Sequence, residues 1–124
     1  MLSLQGDSAE ALTLLSRAEQ ICREMNLASA LAYNRKMRGN VLFRANWYSE
    51  AARTYRGARE LFSKAGDSRG KALAQLGLLK SLDRLGRPRE ETRNDLLALR
   101  DSTDGDELRF THQQVLAALE SSSD

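Results

Sequence analysis

Lys36 and Asn40 stand one helical turn apart, Arg44 lies a further turn on, and forty residues later Lys80 and Arg84 repeat the last two places. A cation beside a neutral amide donor at that spacing suits a carboxylate, the ammonium supplying charge and the amide N–H supplying direction. Other chemistry is thin. The chain has one histidine, His112, and one cysteine, Cys22, so no His/Cys cluster has metal-ligand spacing, and no cofactor or metal is expected. No P-loop and no G-x-G-x-x-G following a strand offers a phosphate cradle, and Gly66, Gly70 and Gly77 read as helix punctuation. A Ser/His/Asp site would have to recruit His112 with no nucleophile motif anywhere. The expectation is a protein that is not an enzyme.

The elements that must position these side chains are helices. Of 124 residues, Leu supplies 21 and Ala 16, while Val, Ile and Thr together supply 8. Sheets draw on β-branched and aromatic residues, and aromatic content is 6%, so the composition points to an all-α fold in a single domain. No apolar run approaches the roughly 20 residues of a membrane span, and the N-terminal residues lack the basic start and apolar core of a secretory signal. With one cysteine, an intracellular, reducing compartment is expected: the cytoplasm first, with import into an organelle left open for a longer protein. Net charge is +2 but uneven: residues 34–93 carry +9, against −2 before them and −5 after.

Cutting the chain every 40 residues aligns Leu2, Leu42 and Leu82, then Glu10, Glu50 and Glu90, then Ala18, Ala58 and Ala98. Such a period marks a helical-repeat array. Gly6, Asn46 and Gly86 also align, as residues suited to a tight turn. The third block drifts; a one-residue slip near Pro88 puts Thr92 opposite Ala51 and Leu96 opposite Tyr55. Six helices are expected, at about 7–25, 28–45, 48–65, 68–85, 88–101 and 105–121. Pro88 would sit in a first turn, and Asp67-Ser68 and Asp104 would cap. Leu78, Leu79, Leu82 and Leu85 form one apolar stripe, and Leu108, Val115 and Leu119 another. Glu90-Glu91 suits a helix N-terminus, and residues from Glu120 onward should fray. Trp47-Tyr48 reads as a turn wedge, Cys22 as a small buried apolar residue and His112 as a surface residue.

Residues 39–61, G-N-V-L-F-R-A-N-W-Y-S-E-A-A-R-T-Y-R-G-A-R-E-L, closely resemble a tetratricopeptide repeat, with Gly39, Ala51, Tyr55 and Ala58 at the places that family fills with small and aromatic residues. Residues 6–21 resemble the second helix of a preceding repeat and residues 67–99 a degenerate following one, with Leu79 where a second Gly39 would stand. The resemblance implies antiparallel helix pairs stacked in a right-handed superhelix. The divisions expected are 1–26 as the end of a first repeat, 27–66 as the clear repeat, 67–102 as the degenerate one, 103–121 as a capping helix and 122–124 as a tail. Met1-Leu2-Ser3-Leu4 would then match the last turn of a helix otherwise missing, so the chain reads as a fragment of a longer protein or as an array with a truncated first repeat. A truncated first repeat would leave a helix face that a second copy can cover.

In that family the ligand is an extended peptide or helix lying in the concave groove. With Ala51, Tyr55 and Ala58 committed to the interior and Gly39 and Leu42 to the helix-pair contact, the remaining face holds Tyr33, Lys36, Asn40, Phe43 and Arg44. Its forty-residue counterparts include Leu73, Leu76, Lys80 and Arg84. Lys36, Asn40, Arg44, Lys80 and Arg84 are the expected polar anchors, and Tyr33, Phe43, Leu73 and Leu76 the apolar contacts. Lys36-Met37-Arg38-Gly39-Asn40 with Phe43 is also similar to the K-x-x-G-N-x-x-F element by which co-chaperone repeats grip the C-terminal carboxylate of heat-shock chaperones. The rest of that clamp is poorly matched, with Gln75 or Gly77 near a second Asn position and Arg109 alone for the basic pair. The functional expectation is a protein-interaction module acting as adaptor, scaffold or regulator of a partner whose peptide is acidic or ends in a free carboxylate. The alternatives are the chaperone clamp, an Arg-rich nucleic-acid surface, which the interleaved Glu50, Glu60 and Asp67 disfavour, and a purely structural stretch of solenoid with no ligand of its own.

Overall fold

A computed structural model describes residues 6–103 and 109–122 as six helices: α1 (Gly6–Glu24), α2 (Ala28–Arg44), α3 (Tyr48–Ala65), α4 (Ser68–Arg84), α5 (Arg89–Ser102) and α6 (Arg109–Ser122). Among the described residues there is no strand. Asp104 and Leu108, expected as a cap and a stripe residue, lie outside the described residues. At the C-terminus the helix runs on through Glu120 to Ser122, where fraying was expected.

The joints explain why the helices alternate in direction at so regular a length. Left-handed backbone occurs at Asn26 (φ 54°), Asn46 (φ 66°), Gly66 (φ 71°) and Gly86 (φ 97°), one every twenty residues. Asn and Gly are the residue types that enter that region at least cost. Gly6, expected in this set, is instead the first residue of α1. After Gly66, the Asp67 side chain accepts the Gly70 N–H at 2.9 Å and caps α4, a bond worth about 1 kcal/mol. Residues 45–47 join α2 to α3, but residues 85–88 join α4 to α5. The extra residue makes Pro88 the cap of α5, with Arg89 opening the helix, and it carries Thr92 and Leu96 into the interior, each 3% exposed.

Packing is between successive helices, most extensively of α3 on α2 and on α4. α4 also touches α2 and α6, so the even-numbered helices form one row and α1, α3 and α5 pack across it. Two rings set the spacing in the middle. Tyr55 of α3 lies between Gly39 of α2 and Gly77 of α4, where an added Cβ would come within 2.8 Å and 2.4 Å of the ring; Phe62 lies as closely against Gly70. Gly70 and Gly77 therefore do not punctuate helices: they sit inside α4 and leave the space the rings occupy. Ala51, Tyr55 and Ala58 are buried, as is Leu42 against them. A second core of Ala72, Leu76, Leu79, Leu96, Leu99, Val115 and Leu119 joins α4, α5 and α6. Leu85, expected in the α4 stripe, follows the last turn and stands 49% exposed.

Candidate functional site

The even-numbered row carries a groove. A cavity of about 310 Å³ is lined by Lys36, Asn40, Phe43 and Arg44 of α2, Tyr55 of α3, Leu73, Leu76, Gly77 and Lys80 of α4, and Gln114 of α6. Seven of the nine expected groove residues meet there. The cavity adjoins a larger one of about 830 Å³ that shares Phe43, Lys80 and Gln114 and is bounded further by Asp83, Arg84, Arg89 and Thr92. Arg84 belongs to this second part, its guanidinium 6.0 Å from the centre of the Tyr48 ring. Tyr33 lines neither part; its ring meets Phe62 edge-on with centroids 4.7 Å apart. Lys36 Nζ stands 5.3 Å from the centre of the Tyr33 ring. Leu76 is 3% exposed, so it forms the floor of the groove more than a contact surface, whereas Leu73 is only half-buried.

Three cations, Lys36, Arg44 and Lys80, line the first cavity with no carboxylate among them. None of its lining side chains takes part in an ion pair among the described residues. Lys36 is half-buried; burial lowers its pKa, the charge of Arg69 adds to the effect, and Asp67 opposes it. An incoming carboxylate would reverse that shift, because an opposite charge favours the ammonium.

Asn40 is held in place. Its Oδ1 accepts from the Tyr55 hydroxyl, and its amide nitrogen faces only the Met37 sulfur, at 3.8 Å. Burial pushes the Tyr55 phenol up to about 12 against the pull of Arg44, so at neutral pH it is a protonated donor. The Asn40 oxygen is thereby taken and its N–H groups are left as the donors. Near the second Asn position, Gln75 accepts from Arg59 Nη1 at 2.6 Å, and Gly77 has no side chain to offer. Arg109 is exposed and lines neither cavity.

Sequence reasoning missed Gln114, which lines the cavity. Its inward position follows from the docking of α6 on α4 and α5, and no local pattern announces it. His112 itself is half-buried, with Nδ1 3.0 Å from Thr103 Oγ1, joining α6 to the end of α5. Cys22 is half-exposed, where a buried position was expected. Trp47 caps α3 with its indole nitrogen buried, while Tyr48 packs edge-on against Phe43 at 5.2 Å and donates to Asn46 Oδ1 at 2.7 Å. The turn wedge thus supports the groove wall through Phe43.

The opposite face has its own hollow of about 620 Å³, where Leu78, Leu79, Leu82 and Leu85 lie beneath Arg56, Arg59 and Arg87. Arg87 there is bonded to Asp95 at 2.6 Å and to Glu91 at 3.1 Å, which raises its pKa. Among the described residues no three His, Cys, Asp or Glu side chains are grouped as metal ligands, and no helix is long and apolar enough to cross a membrane. Comparisons with protein-family models, curated proteins and solved structures gave no match to this chain.

Proposed function

We propose that this chain is an interaction module of tetratricopeptide type that holds an acidic peptide or helix of a partner protein in the groove of α2, α4 and α6, as an adaptor, scaffold or regulator of that partner. One observation carries the reading: Lys36, Arg44 and Lys80 converge with Asn40 on a single cavity that contains no acidic side chain. Unpaired cations over an apolar floor attract a ligand of opposite charge and give it a register. The carboxylate-clamp form of this reading rests on Lys36 and on the outward amide donors of Asn40; the other clamp positions add nothing to it.

Affinity capture from lysate with the parent beside Lys36→Ala/Lys80→Ala, followed by titration of the purified partner, tests the reading. Asn40 is kept because it anchors Tyr55. The expected outcome is a partner held by the parent and bound at least about tenfold more weakly by the double variant, with both proteins unfolding at the same temperature. A partner held equally by both would move the site off the groove.

A further inference from the structure

The odd-numbered row begins with a helix covered on one side only. α1 has no fully buried residue, and it leaves Leu14, Ile21 and Met25 respectively 58%, 54% and 63% exposed. With Ala18, also exposed, they stand at intervals of four, three and four residues, one straight apolar seam along a helix. Met25 continues it past the last helical residue, its N–H bonded to the Ile21 carbonyl at 3.0 Å.

The repeat shows what such a seam does when it is covered. Forty residues on, the same places on α3 hold Thr54, Ala58, Leu61 and Ala65, of which Ala58 is fully buried and the others half-buried. α3 lies between α2 and α4, whereas α1 packs on α2.

We propose that two copies of this chain associate through α1, antiparallel, about a two-fold axis near its middle. The seam is self-complementary in that direction: Leu14 meets Met25 of the other copy, and the small Ala18 meets the larger Ile21. The flanking charges select the direction. Glu19 is engaged by Arg23 and Arg35 of its own chain, but Arg17 and Glu24 have no ion partner among the described residues, and Glu24 accepts only from Gln20 at 3.3 Å. Antiparallel pairing brings Arg17 of each copy to Glu24 of the other; parallel pairing would set both beside Leu15 and Cys22. A contact one helix wide, about 28 Å long for 19 residues, is at the small end of specific interfaces, so dissociation on the order of micromolar is expected.

Analytical ultracentrifugation of the whole chain from about 1 to 200 μM, with thermal unfolding of each variant alongside, tests the pairing. The parent should move from the monomer mass to twice that mass. Ile21→Glu should remain monomeric at the highest concentration. Arg17→Glu should weaken pairing by about tenfold, and Arg17→Glu/Glu24→Arg should restore it; both positions are exposed, so this pair decides the matter even if Ile21→Glu lowers the unfolding temperature. A parent that stays monomeric, an Ile21→Glu chain that dimerises like the parent, or a double charge swap weaker than the single one would overturn the proposal.

Discussion

The groove of the even-numbered row and the hollow on the opposite face are both lined by leucines and arginines, yet they treat charge differently. On the outer side Arg59 bonds Gln75 and Arg87 is fixed between Glu91 and Asp95, while Arg56 stays exposed to solvent. In the first cavity of the groove, Lys36, Arg44 and Lys80 stand with no carboxylate in the lining, Asp83 lining only the adjoining part. Cations already paired contribute to holding helices, and pairing them with a ligand would first require breaking those bonds. Cations left facing a cavity retain their capacity for an incoming anion. The contrast supports the proposal that recognition belongs to the even-numbered row and fastening to the other.

The wall between the two faces is the point at which the comparison breaks most completely. Ala58 is fully buried among Ala32, Phe62 and Ala74, and Ala58→Arg would overfill that wall and bury an unpaired charge. A loss of roughly 4 kcal/mol or more in denaturant unfolding is expected; a variant as stable as the parent would mean that the repeat register is wrong.

A smaller effect sharpens the groove side. The Tyr55 phenol has a folded pKa of about 12 against an ordinary 10.0. Below pH 10 both folded and unfolded chains keep the proton, so the contribution is complete; as pH rises from 10 toward 12 the unfolded chain loses its proton first and stability falls. The loss is on the order of 2–3 kcal/mol. Tyr55→Phe, which gives up the bond to Asn40 for about 1 kcal/mol at neutral pH, should lack this decline. Denaturant midpoints of the two proteins should therefore converge and cross at about pH 10.7, and parallel curves would refute the burial of the hydroxyl.

The smallest effects compare the faces directly. Lys36→Ala should weaken an acidic ligand several-fold with the unfolding temperature nearly unchanged, while Arg56→Ala on the outer face should alter binding less than about twofold. Equal losses from the two would erase the distinction.

The helices and the repeat were legible in the sequence because Leu/Ala patterning and the turn residues at 46 and 86 are local signals. The one-residue slip at Pro88 could be read in the same way, from Thr92 and Leu96. The meeting of seven groove residues was legible because forty-residue spacing repeats a helix face. Gly70 and Gly77 were misread because they act on rings of another helix, and nothing beside them in sequence reveals a ring's position. Tyr33 was placed on the groove by spacing alone, but Phe62, on a neighbouring helix, offers its ring a tighter contact. Gln114 depends on how the last helix docks, which is a property of the whole stack.

Tyr55 has one more consequence. In an array where each unit touches only its neighbours, helices can open one at a time from an end. A single ring lodged in two opposed glycine gaps removes that freedom from the middle: it cannot withdraw from α2 while remaining seated against α4 unless the helices themselves part. The central helices therefore open as a cooperative block, and independent fraying is confined to the outer ones.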